Sequence, residues 1–143
     1  MSKKIVSTLA GLIVLLAAAS LHARSNQMQV TVPFGFVAGG KTLPAGNYIV
    51  ELNTDSGTRG VIVLRRDGQQ PILLVVAIGK EYFAVPEHSQ LVFHRYGTLF
   101  FLAEVRTEGD TTGRALATSD REKEMAHNRR PDQKIVAEAR NRP

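Results

Sequence analysis

From Gln27 to Val37 the side chains alternate, with Met28, Val30, Val32, Phe34 and Phe36 on one face and Gln29, Thr31, Pro33 and Gly35 on the other. A period of two is the signature of a half-buried β-strand. Pro33 has no amide to donate, so this strand is expected at a sheet edge or bent at the proline, with Gly39-Gly40-Lys41 ending it. Leu43-Pro44-Ala45-Gly46-Asn47-Tyr48 supplies turn chemistry, because proline presets φ at the second turn position. A second strand follows to Asn53, with Tyr48, Val50 and Leu52 on one face. A loop over Asp55–Thr58 leads to a third strand from Gly60 to Arg66, and Asp67-Gly68 between apolar runs signals a hairpin. Ile72–Ile78 is apolar on both sides, which predicts a central strand. Glu81–Val85 suggests a short strand, and Leu91–Tyr96 with Leu99–Arg106 makes a hairpin across Gly97.

After Val105 the pattern changes. Thr107–Gly113 reads as a polar loop, and Ser119-Asp120-Arg121-Glu122 is a capping box that opens a helix over about 119–129, stopped by Pro131. The segment 134–139 fits a closing strand better than a helical turn, although its Ala and Glu content suits either. Strands recurring about every ten residues with turns between them predict an all-β fold. The expected architecture is an antiparallel sandwich or small barrel of about seven to eight strands, with one short helix near the C-terminus. The helix carries few apolar residues, chiefly Met125 and Ala126, so it is expected on the surface or across a barrel end.

Lys3 and Lys4 precede an uncharged, mostly apolar run from Ile5 to Leu21, followed by Leu21-His22-Ala23. These are the basic, apolar and small-residue regions of a cleavable signal peptide. The run has 17 residues and a membrane span needs about 20, so cleavage is favoured over anchoring. The cut is expected after Ala23, with a cut after Ala19 as the competitor, leaving 24–143 as one β domain. The destination is the periplasm or the exterior. The chain has 18 basic and 13 acidic residues; losing Lys3 and Lys4 leaves 16 against 13, a net charge of +3. There is no cysteine, so no disulfide, thiolate nucleophile or cysteine-ligated metal is available.

Candidate chemistry is sparse. His88, His94 and Tyr96 form a weak polar cluster at a hairpin, against the plainer reading of cross-strand packing. No His-x-His or His-Glu-x-x-His spacing supports a metal, and no cofactor is expected. Neither Gly-x-Ser-x-Gly nor Ser-x-x-Lys occurs. Glu51, Glu81, Glu87 and Glu104 could in principle supply paired carboxylates, but strand carboxylates ordinarily form a solvated face. Arg65-Arg66 and Arg129-Arg130 lack the interleaved aromatics of a single-strand nucleic-acid binder, and no nucleic-acid partner is expected. Phe34, Phe36, Phe93 and Phe101 either fill the core or line a ligand cavity.

The motif order Val32-Pro33-Phe34-Gly35-Phe36, Leu43-Pro44-Ala45-Gly46-Asn47-Tyr48, Leu91-Val92-Phe93-His94-Arg95-Tyr96-Gly97 with Phe100-Phe101-Leu102, then Gly113-Arg114 and Ser119 with Glu122, resembles a family of small exported bacterial proteins. The resemblance covers nearly all of 24–143. It implies a bacterial envelope or secreted location and a final strand at 134–139, and it brings no catalytic or binding residues. Leu43–Glu51 alone is also similar to the turn-and-strand piece of prealbumin-like and pilin-type sandwich modules. The expected function is that of a non-enzymatic β-scaffold contacting an envelope protein, a polysaccharide or the membrane surface. The alternative is a small-ligand-binding barrel with an aromatic-lined cavity.

Overall fold

The computed structural model describes residues 27–53, 59–66 and 68–138. The expected signal segment with both cleavage positions, the loop Asp55–Thr58, Asp67 of the hairpin turn and position 139 lie outside the described residues. The strands are β1 (Gln27–Val32), β2 (Phe36–Ala38), β3 (Lys41–Leu43), β4 (Gly46–Asn53), β5 (Arg59–Arg66), β6 (Pro71–Glu81), β7 (Gln90–Tyr96), β8 (Leu99–Arg106), β9 (Thr112–Leu116) and β10 (Asp132–Glu138), with helix α1 (Asp120–Asn128) before the last. The fold is all-β, as expected, with one short helix among the described residues.

All ten strands belong to one sheet. Its antiparallel path runs β1-β4-β5-β6-β9-β8-β7-β10. The end strands β1 and β10 come into contact, so the sheet curls round one main core. The β2–β3 hairpin joins β8 through a parallel pairing, Val37 opposite Phe101.

Alternation decides what lies inside. Val30, Val32, Tyr48, Val50, Ile62, Leu64, Ala77, Leu91, Phe93 and Val105 are fully or almost fully buried, each two residues from another inward position or opposite one on the neighbouring strand. Burying one such Val, Leu, Ile or Phe contributes roughly 1.5–3 kcal/mol. Tyr48 lies inside with them because its hydroxyl donates to the Pro44 carbonyl. The turn before β4 thereby satisfies the polar atom that the core could not.

Several expectations need correction. The strand expected over 27–37 breaks at Pro33-Phe34-Gly35, where the missing amide ends the β1–β4 ladder, and β2 continues with new partners. Gly39 and Gly40 do not simply end a strand: at φ 57° and 78° they form the two-residue turn of the β2–β3 hairpin. Glu81 ends β6, and 82–89 is irregular rather than a fifth strand. Part of the segment read as a polar loop is β9, held between β6 and β8. The short strands β2, β3 and β9 account for the ten strands against the seven to eight expected. Helix α1 lies on the outer face of β7–β8, where Met125 packs on a second apolar cluster of Val37, Tyr96 and Phe101.

Candidate functional site

β6 stands between β5 and β9, the central position expected of an apolar strand. Its two faces differ, however. Ala77 is buried, with Leu73 and Val75 packed against the core, whereas Leu74, Val76 and Ile78 are 68%, 61% and 57% exposed on the outer face. The expectation that both faces are covered is therefore corrected. The helix that could have covered the outer face packs on β7–β8 instead. Opposite Leu74 and Val76 on β5 stand Val63 and Val61, and opposite Ile78 on β9 stands Ala115, so the apolar stripe is three strands wide. Phe83 and Val85, in the irregular segment after β6, are also exposed. Several large apolar side chains side by side are unfavourable in water, and such patches mark contact surfaces.

Beside this stripe the sheet has a notch. β9 pairs with β6 only from Ala77 to Glu81, leaving 71–76 without a strand on that side among the described residues. An open groove of about 510 Å³ occupies the space, lined by Gly39 and Gly40, by Leu74–Val76, and by Ala117–Asp120 at the start of the helix. Gly39 makes the close approach feasible: a Cβ there would sit 2.7 Å from Val75 Cγ2. At one end of the notch Lys41 Nζ donates to the Ile72 carbonyl across 3.1 Å.

A second feature is polar. Glu104 is buried on β8, and its Oε1 accepts from Lys80 Nζ at 2.7 Å. Its Oε2 accepts from the Tyr82 hydroxyl and from Arg106 Nε and Nη2 at 3.2 and 2.9 Å. Gly113 of β9 lies beneath, where a Cβ would meet the Tyr82 ring at 2.6 Å, and the Arg106 guanidinium stands 4.1 Å from that ring's centroid. Burial pushes the Glu104 pKa up, but the hydrogen bonds from Lys80, Tyr82 and Arg106 outweigh it and hold the carboxyl below its ordinary value. The hydrogen bond to Glu104 raises Lys80, and burial together with that carboxylate raises Tyr82. With both oxygens engaged, Glu104 ties the end of β6 to β8 across the short β9; it is not placed as a free acid or base.

The third feature fastens the helix. His94 Nδ1 lies 2.6 Å from Oε1 of the buried Glu122, and the Tyr96 hydroxyl is 3.4 Å from the same oxygen. A carboxylate only accepts, so Nδ1 and the hydroxyl donate. Burial and the Glu122 charge raise the Tyr96 pKa.

Of the weak cluster, His94 and Tyr96 thus meet on Glu122, while His88 is exposed in the irregular segment and stands apart. Glu122 entered the sequence reading only as a capping residue, and its spacing gave no sign of the partners it meets. Glu51 pairs with Arg65 at 2.5 Å, Glu81 and Glu87 are exposed, and Glu104 is buried in its own network rather than part of a solvated face. Phe34 and Phe36 each meet Phe93 edge to face, with Phe34 also stacked on Phe100. Phe101 lies in the other cluster under the helix, so the four aromatics do not surround a common space. Among the described residues no group of three His, Asp or Glu is placed to hold a metal, and no helix is long and apolar enough to cross a membrane. Compared with protein-family models, with curated proteins and with solved structures, the chain matches none.

Proposed function

We propose that the protein is an exported, non-enzymatic β-scaffold of the bacterial envelope or exterior that binds a partner through the outer face of β6. The observation that carries this reading is the exposure of Leu74, Val76 and Ile78 side by side on that face. Leaving such side chains in water costs the free energy that covering them returns, about 25 cal/mol per Å² of apolar surface. The basic and apolar regions at the N-terminus support export. The polar clusters support a non-enzymatic role, because the carboxylates at their centres are engaged by strand and helix partners.

The test is co-purification from envelope extracts with the tagged full chain and a variant carrying V76K and I78K. Both positions are exposed, so the two chains should unfold alike. The wild type is expected to retain envelope components that the variant loses. Identical sets of retained components, or none in either case, would contradict the reading. Sequencing the exported protein should show a start at Arg24 or Ser20, and an intact Met1 would overturn cleavage.

A further inference from the structure

We infer that the notch beside β6 is a site for strand addition: it takes an extended peptide segment of a partner, which joins the sheet along β6 in line with β9. This rests on the proposed role of the β6 face and names the kind of partner it takes.

Peptide groups in a strand alternate in direction, so one known hydrogen bond fixes the direction of its neighbours. The Tyr82 N–H donates to Thr111 O on the β9 side at 2.8 Å, and the Ile72 carbonyl takes the Lys41 amine on the same side. Even-numbered residues from 74 to 82 therefore turn their peptide groups towards β9 and the notch, the alternation being interrupted below Leu73 where the ladder with β5 shifts register. The ladder with β9 ends at Ala77 opposite Leu116, a rung that uses the Val76 carbonyl. Leu74 is left presenting both its N–H and its C=O to the groove, and Val76 its N–H. The side chains of these same two residues are the exposed ones.

Donors and acceptors at strand spacing, flanked by apolar side chains, are matched by the backbone of an extended peptide. The surroundings suit a short segment. Gly39 and Gly40 line the groove without side chains, and Ala117–Asp120 complete its lining. A strand lies about 4.8 Å from its neighbour. The groove offers three residues of β6, Leu74–Val76, between the β2–β3 turn and the start of the helix, a length that a lone segment can fill. Lys41 closes the notch at Ile72, which confines the site to Leu74–Val76 and favours a short segment.

The probe is acetyl-Thr-Val-Thr-Val-Thr-amide, with a twin N-methylated at alternate residues to remove the amides that would face β6. Hydrogen exchange of the full chain is followed by NMR. The plain peptide is expected to slow exchange at the Leu74 and Val76 amides by about tenfold at saturation, and the twin is expected to leave them unchanged. Equal binding of both peptides, without protection at Leu74, would overturn strand addition while leaving an apolar contact face intact. Binding of neither peptide would also overturn it, and the separate loss of envelope partners in the V76K and I78K variant would show that the proposed function survives. Protection of Leu74 that grows with protein concentration alone would place a second copy at the edge and overturn the peptide proposal.

Discussion

Glu104 shows how little a residue's type says about its energy. Its carboxylate sits on the outer face of β8, yet Tyr82 and Arg106 fold over it and Lys80 reaches it from β6. Because its folded pKa is depressed, the stability it contributes is present above its ordinary value of 4.5 and is lost as the pH falls through the folded value. The Lys80 pKa is raised, so its share is present below 10.5 and fades only as the pH rises above that. We expect Glu104→Gln to cost about 1–3 kcal/mol at neutral pH, since it removes charge-assisted hydrogen bonds at a buried acceptor. The same variant should flatten the acid limb of stability below about pH 4.5. Urea unfolding of both proteins from pH 3 to 7 checks this, and parallel acid limbs would contradict it. Gly113 permits the arrangement, because only its bare Cα leaves room for the Tyr82 ring.

At the scale of elements, alternation carried most of the fold. β1 and β4 stand where their period of two places them, β5, β7 and β8 where apolar runs between turn signals place them, and β10 fulfils the strand reading of its ambiguous segment. What alternation could not reveal is what covers each face. Ile72–Ile78 reads as buried on both sides by composition, but covering depends on where α1 docks, and that is decided by Met125 and Glu122 meeting Tyr96, Phe101 and His94 on β7–β8. β9 was hidden for a related reason: Thr112-Gly113-Arg114-Ala115 has no apolar period, and it is a strand because β6 and β8 leave a place for one. The helix cap was legible, and the Glu122 N–H donates to Ser119 Oγ at 3.2 Å. Ser119→Ala should lower stability by about 1 kcal/mol, and Glu122→Ala by more, because it releases His94 and Tyr96 as well. Thermal unfolding of both variants tests the order; equal losses would mean that the cap alone holds the helix.

At the scale of the whole molecule, the curled sheet is covered on its inner face by its own core and over β7–β8 by the helix, while among the described residues the outer face of β6 stays open beside a break in the ladder. Without cysteine, nothing covalent holds the sheet, so its stability rests on packing and pairing. An exposed apolar strand next to unpaired peptide groups is a hazard for any domain, and strand edges are ordinarily guarded. Here Lys41 guards only the far end of the notch, which is how a surface kept for a partner would be built. The most direct test is photo-crosslinking in intact cells, with a photoreactive residue at Ile78 and, for comparison, at the exposed Glu124 of the helix. A discrete adduct with an envelope or secreted partner is expected from Ile78 and none from Glu124. The absence of any adduct at Ile78, or the same adducts from both positions, would contradict it.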